Sequence, residues 1–163
     1  MYNFLQKFHS GWAYLALLFL VITVLNSVIG IISKKEFTAK DRKIALFGLM
    51  FTHIQLLVGL ILYFVSEVGM KAFSIEGAMK NPTLRLTMLE HPLINIIAIA
   101  LITIGWSKHK KATTNEAKFK SIAVFYGLGL VLILTRIPWE MWYNDSIDPL
   151  YDYVIKTING PIN

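Results

Sequence analysis

Three histidines lie inside long apolar stretches of the sequence, at His9, His53 and His91. An ionisable side chain is costly in a membrane-length helix unless it has a partner, and imidazole is a common ligand of metal ions. A b-type haem takes imidazoles from facing helices, and its propionates need cationic or aromatic neighbours. These histidines are therefore candidate ligands of a haem iron. Arg136, at the end of the last apolar stretch, is a candidate cofactor-binding neighbour of the propionates.

Helical spacing predicts which residues share a face with each histidine. Asn95 and Ala98 follow His91 at one-turn intervals, and a similar stripe of small and polar residues follows His9. Such stripes should face protein rather than lipid. His9 with His91 suits a site near the outer end of the helices, whereas His53 with His91 suits a deeper site. Both pairs remain open at this stage, and because His91 belongs to both we expect it to matter most.

The neighbours of these histidines suggest further roles. Glu90 is a candidate acceptor for a hydrogen bond from a ligand imidazole, and Pro92 should distort the third helix. Gln55 points away from His53 at 100° per residue, so the two should have different partners, and we place Gly59 on the face of His53. A non-haem metal site built from the histidines and Glu90 is a further alternative. However, a di-metal centre would need several inward carboxylates, and Glu90 is the only acidic residue close to the core of a span.

The elements that position these residues are membrane helices. The chain of 163 residues is 55% hydrophobic, with a mean hydropathy of +0.55. Four stretches, at about 4–32, 44–65, 84–106 and 122–137, are long and apolar enough to cross a bilayer. The sequence therefore predicts an all-α fold, an integral membrane four-helix bundle that forms a single transmembrane domain in a lipid bilayer.

The charges predict the orientation of this bundle. The net charge is +6, and the lysines and arginines concentrate in the first and third connections, whereas the tail after residue 139 is acidic. By the positive-inside rule these connections are cytoplasmic and both termini lie outside. The orientation of the helices on insertion into the membrane accounts for the basic charge, so we expect no nucleic-acid partner. The absence of cysteine excludes disulfides, thiolate metal sites and covalent haem attachment.

The connections carry their own signals. Thr38 and Asp41 resemble a capping box at the start of the second helix, and Asn81 followed by Pro82 marks the start of the third. The segment 66–80 is long enough to form a short cap over one end of the helices. His109 lies among lysines, and we expect it to be solvated.

Several segments together resemble a family of small bacterial four-span proteins described as cytochrome-b-like. The resemblance implies a multi-pass protein of the bacterial inner (plasma) membrane that carries haem b, with quinone as a second cofactor, and that transfers electrons with a quinol or a respiratory partner. This sequence departs from the pattern at Ala13-Tyr14, where an arginine is expected. The matching segments are His9-Ser10-Gly11-Trp12, Thr52-His53-Ile54-Gln55-Leu56-Leu57-Val58-Gly59-Leu60-Ile61-Leu62-Tyr63, Glu90-His91-Pro92-Leu93, Ile102-Thr103-Ile104-Gly105 and Pro138-Trp139.

A second hypothesis comes from the small size of the chain. Four spans with short connections leave little material for a substrate site, and no pattern typical of a hydrolase is present, so no catalytic residue is assigned. The chain would then be a non-catalytic accessory subunit of a larger membrane complex, without a cofactor, bound to other membrane protein subunits. The aromatic and acidic tail, 139–163, would be its docking segment.

Overall fold

The computed structural model describes residues 2–143, and over this range the chain is helical and contains no strand. Most of the tail that we expected to dock a partner lies outside the described residues. The helical fold confirms the predicted all-α class, and four helices are long and apolar enough to cross a membrane. The helices are α1 (Tyr2–Ile32), α2 (Ala39–Val65), α3 (Pro82–Lys111) and α4 (Asn115–Thr135), followed by the short α5 (Trp139–Tyr143).

The helices extend beyond the apolar stretches at several ends. α4 begins at Asn115, seven residues before the predicted start at 122, because the Thr114 hydroxyl accepts a hydrogen bond of 3.2 Å from the backbone N–H of Ala117. A side-chain cap of this kind satisfies backbone donors that the first turn leaves free. Hydrophobicity marks the part of a helix that suits lipid, whereas the caps decide where the helix begins.

Each long helix packs against two of the others. α1 and α3 both contact α2 and α4, so α1 and α3 lie diagonally across the group. Buried side chains from all four helices meet in a common core, where the Tyr126 hydroxyl donates to the Ala45 carbonyl at 3.1 Å. Many large apolar side chains are exposed on the outside of these helices; they include Leu18, Leu25, Phe47, Leu57, Ile61, Val124, Leu128 and Val131.

The two basic connections lie at the same end of the helices. The ring of Phe37, in the first connection, lies 4.9 Å from Phe119 and 5.7 Å from His109, measured between ring centroids. His109 is only 2% exposed, so our expectation of a solvated side chain was wrong. It lies in the last turn of α3, where Trp106 covers it at 4.4 Å, because a helical turn brings the two rings together.

Asp41 fixes the entry into α2 at this basic end. It accepts a hydrogen bond of 2.9 Å from the backbone N–H of Thr38, which belongs to the predicted capping box, and another of 2.6 Å from the Thr38 hydroxyl. Its second oxygen accepts from the ammonium of Lys35 at 2.6 Å and from the amide of Asn26 at 2.9 Å. The buried carboxylate therefore ties the first connection to α1.

The opposite end carries the predicted cap. The segment between α2 and α3 forms two short 3₁₀ helices, Met70–Ser74 and Ala78–Lys80, with Gly77 in the left-handed conformation between them. Their inward side chains are buried against the start of α3 in a separate small core made of Val68, Ala72, Ile75, Ala78, Leu84 and Met88. This cap covers the end of the helices that carries His9 and His91.

The distortion expected at Pro92 takes the form of a π-helical segment. Asn81 caps α3 through hydrogen bonds from the backbone of the next turn, as predicted, and residues Leu86–Glu90 then widen to π-helical spacing. The backbone N–H of His91 donates to the Leu86 carbonyl, five residues back. Because proline lacks an N–H and its ring crowds the preceding turn, one wider turn accommodates it. His91 sits where this turn ends.

Candidate functional site

A cavity of about 190 Å³ lies at the end of the helices opposite the basic connections. Its walls are mostly apolar, and polar groups reach it from α1, α2 and α3. The imidazoles of His9 and His91 both line it, together with Gln6, Ser10, Ala13, Ala16, Leu17, Thr52, Gln55, Gly59, Tyr63, Asn95, Ile99, Ile133, Ile137 and Met141. Such a cavity suits a largely apolar ligand that is oriented by a few polar contacts.

His9 and His91 are brought together across the diagonal of the helices. Their ring centroids lie 6.2 Å apart, and the ring planes are inclined at 79°. Both residues lie close to the beginning of their helices, and α1 and α3 run in the same direction, so both rings reach the same depth. Of the two pairs that the sequence left open, the structure brings this one together.

One hydrogen bond determines which nitrogen of His91 carries the proton. Its Nδ1 lies 2.7 Å from the backbone carbonyl oxygen of Arg136, and a carbonyl can only accept, so Nδ1–H is the donor. The carbonyl is available because α4 ends at Thr135 and the last carbonyls of a helix have no partner within it. The Nε2 atom of His91 therefore keeps its lone pair, as a neutral imidazole ligand of a metal does.

His9 is held from α2. The Gln55 amide donates to the backbone carbonyl of His9 at 3.0 Å and lies 3.4 Å from the ring Nε2. Gly59, one turn further along α2, leaves space for the ring: a Cβ at this position would lie 2.9 Å from Cε1 of His9. Among the described residues, His9 Nδ1 and Gln55 Oε1 are buried without a hydrogen-bond partner.

His53 takes a different position. Its Nδ1–H donates to the Leu49 carbonyl at 2.8 Å, and its Nε2 lies 3.2 Å from the Thr103 hydroxyl on α3. It is not among the residues that line the cavity. As predicted, His53 and Gln55 have different partners. Gly59, however, lies on the same face of α2 as Gln55 and not on the face of His53, because residues four apart share a helical face.

Glu90 does not support the imidazole of His91. Its carboxylate lies 2.8 Å from Nε of Arg85 and 3.5 Å from Nε of Arg136. The expected hydrogen bond from a ligand imidazole is absent, because Nδ1–H of His91 points to a backbone carbonyl and adjacent helical residues project in different directions. Arg136 reaches the site through its carbonyl oxygen, and it is not among the residues that line the cavity.

The residues that could hold a metal are few. Between residues 2 and 143, no three or more histidine, aspartate or glutamate side chains come together as a metal-binding group. This argues against the non-haem centre of histidines and Glu90. A haem iron is different, because the porphyrin supplies its remaining ligands and the protein needs to supply only axial ones.

Sequence reasoning missed two features of the site: the Arg136 carbonyl that accepts from His91, and the space that Gly59 leaves for the ring of His9. Backbone groups carry no sequence signal of their own, although the end of α4 before Pro138 indicates free carbonyls nearby.

Comparisons of the chain with protein-family models, with curated proteins and with solved structures find no match. The resemblance to cytochrome-b-like proteins therefore stays a prediction from the sequence.

Proposed function

We propose that this chain is a b-type cytochrome-like membrane protein in which His9 and His91 ligate a haem iron and which exchanges electrons with a quinol or a respiratory partner. The observation that carries the proposal is the placement of two imidazoles from different helices, 6.2 Å apart, on the wall of an apolar cavity. Haem b, when bound there, would supply one-electron redox chemistry.

The distance between the rings supports a shared metal ion. Imidazole nitrogens bind metals at about 2 Å, so two rings that held one ion between them would have their centres about 6 Å apart. The separation of 6.2 Å between His9 and His91 is compatible with this arrangement. His53 lies against Thr103 and is not proposed as a ligand.

The residues around His91 suit its imidazole to this role. The Arg136 carbonyl holds the proton of His91 on Nδ1 and orients the ring, which is the usual arrangement behind a metal-ligating histidine. Asn95 donates to the His91 backbone carbonyl at 2.6 Å and fixes the same turn of α3. The mostly apolar walls of the cavity suit a hydrophobic macrocycle.

The proposal includes a location. The helices would form a four-helix bundle in the bacterial inner membrane, with the basic connections in the cytoplasm and both termini outside. Phe37, His109 and Phe119 place those two connections side by side, so a single orientation satisfies the positive-inside rule for both. The cavity would then open towards the outer side.

The second hypothesis, an accessory subunit without a cofactor, has one observation in its favour. Each of the three histidines already has a contact to another helix or its flank: His9 with Gln55, His53 with Thr103, and His91 with Arg136. Polar contacts between membrane helices stabilise them by about 0.6 to 2 kcal/mol each. Under this hypothesis the histidines hold the helices together and nothing more.

Purification of the protein in mild detergent, followed by spectroscopy, separates the two hypotheses. The cytochrome hypothesis expects reduced-minus-oxidised haem bands and about one haem per chain by pyridine extraction. A colourless protein that also takes up no added haemin would contradict it and leave the accessory role.

A further inference from the structure

The basic end of the helices carries two cations whose positions the orientation in the membrane does not explain. We infer that Arg42 and Lys110, together with the indole ring of Trp106, form a binding site for the phosphate group of an anionic phospholipid. The site lies between α2 and α3, at the end of the helices opposite the cavity. The inference depends on the placement of the helices in a membrane and not on the haem.

The two cations come from different helices and converge on one ring. Arg42 lies near the start of α2, and the central carbon of its guanidinium group is 5.9 Å from the centroid of the Trp106 ring. Lys110 lies one turn after Trp106 on α3, and its Nζ is 5.8 Å from the same centroid. Both cationic side chains are exposed. The face of an aromatic ring attracts a cation, which offsets part of the repulsion between the two charges.

Among the residues that the structure describes, no carboxylate is paired with either of these cations. Asp41 and Glu116, at the same end of the helices, each hold another lysine at 2.6 Å. Glu36 is exposed and forms no ion pair with a described residue. Arg42 and Lys110 therefore bring two positive charges together without a counter-charge, and such an arrangement concentrates anions.

The chemistry of the two side chains suits a phosphate group. The planar guanidinium of Arg42 presents N–H donors that match two phosphate oxygens, and the ammonium of Lys110 adds a compact charge. The Trp106 ring is half-buried, and indole rings favour the level of the lipid headgroups at the ends of membrane helices. Basic pockets between membrane helices bind the headgroups of anionic lipids.

The surface beside the cations favours a lipid over a soluble anion. Leu46 and Met50 follow Arg42 at one-turn intervals on α2, so the three side chains share a face of the helix. Both apolar side chains are exposed. An acyl chain can lie along this face while the phosphate stays with the cations, whereas a free phosphate would make no use of the apolar surface.

The positive-inside rule alone makes a different prediction. It requires lysines and arginines at the cytoplasmic end of the helices but gives them no particular positions. Lys40 and Lys111 are cations of this kind: both are exposed, and within residues 2–143 neither forms an ion pair or lies over an aromatic ring. They are the matched controls, because their removal changes the net charge by the same amount.

Two double variants of equal net charge test the inference: Arg42→Gln with Lys110→Gln, and Lys40→Gln with Lys111→Gln. Native mass spectrometry of the full chain in mild detergent measures the binding of phosphatidylglycerol and of phosphatidylcholine with the same acyl chains. The wild-type chain and the control should each bind one phosphatidylglycerol in preference to phosphatidylcholine. The loss of Arg42 and Lys110 should weaken the binding of phosphatidylglycerol by about 30-fold, or about five-fold for each cation.

Three results would overturn the inference. Equal weakening in both double variants would show only the general attraction of a basic surface for anionic lipid. Equal affinity of the wild-type chain for the two lipids would show that the phosphate site does not select an anionic lipid. Glycerol 3-phosphate carries the phosphate without acyl chains, and its competition at the concentration of the lipid would assign the site to a soluble phosphate instead. All of these measurements can be made on haem-free protein, so they do not depend on the proposed function.

Discussion

At the scale of single residues, the two imidazoles of the site are prepared in different ways. His91 is fixed by a backbone acceptor, the Arg136 carbonyl, which no side-chain substitution can remove. His9 is fixed by the Gln55 amide and by the missing side chain of Gly59. The His9 half of the site is therefore the half that substitutions can probe most cleanly.

Gly59→Ala should lower haem content although alanine is the better helix former. Alanine gains about 1 kcal/mol over glycine in a helix, but its methyl group would press on the ring of His9 and turn it away from His91. Gly11→Ala is the matched control, because it lies two residues from His9 on α1 and its added methyl group would meet no atom within 4 Å. The measurement is the haem content per chain. Equal haem content in both variants would contradict the claim that Gly59 leaves the space in which the ring of His9 lies.

At the scale of elements, the π-helical segment before Pro92 decides where His91 points. A single wider turn rotates everything before it relative to the rest of the helix. The small core of the cap contains Leu84, which lies before this turn, and Met88, which lies within it, whereas Asn95 lies after it. The π-helical segment therefore allows α3 to place Leu84 in the core of the cap and Asn95 on the wall of the cavity.

Pro92→Ala should reduce haem binding without loss of helix. Alanine restores the N–H that proline lacks, which favours regular α-helical spacing and rotates His91 away from the Arg136 carbonyl. Pro82→Ala is the control, because proline at the first position of a helix replaces an N–H that has no partner there. Circular dichroism should match for both variants, and undiminished haem in Pro92→Ala would show that the π-helical segment does not orient His91.

The helices were the most predictable part of the molecule. The long apolar runs predicted four long helices, and the signals at Thr38, Asp41 and Asn81 marked helix starts correctly. The burial of His109 was missed because the lysines around it in the sequence indicate a solvated side chain. In the structure the rings of Trp106 and Phe37 pack against His109 and bury it. Local charge patterns do not report contacts between distant segments.

At the scale of the whole molecule, the two ends of the helices differ in character. One end gathers the basic connections around Phe37, His109 and Phe119, and the other carries the cap and the cavity. The pairing of His9 with His91 could be listed as an option from the sequence. It could not be selected, because helix tilt and exact ends shift each residue by several ångströms.

Cysteine labelling tests the orientation, and the natural chain contains no cysteine to interfere. Lys40→Cys and Thr114→Cys, both at exposed positions of the basic end, should react with an impermeant maleimide only after the cells are opened. Glu76→Cys, exposed on the cap, should react in intact cells and serves as the control. Labelling of Lys40→Cys or Thr114→Cys from outside would reverse the proposed topology.

The most direct test of the central claim is the haem spectrum of three single variants, His9→Ala, His53→Ala and His91→Ala, purified alongside the wild-type chain. Loss of the haem bands is expected for His9→Ala and His91→Ala, because each removes one of the two facing imidazoles. His53→Ala should keep the bands and lose only stability, since its ring contacts Thr103 away from the cavity. Haem retained in His9→Ala or His91→Ala but lost in His53→Ala would contradict the claim that His9 and His91 form the site.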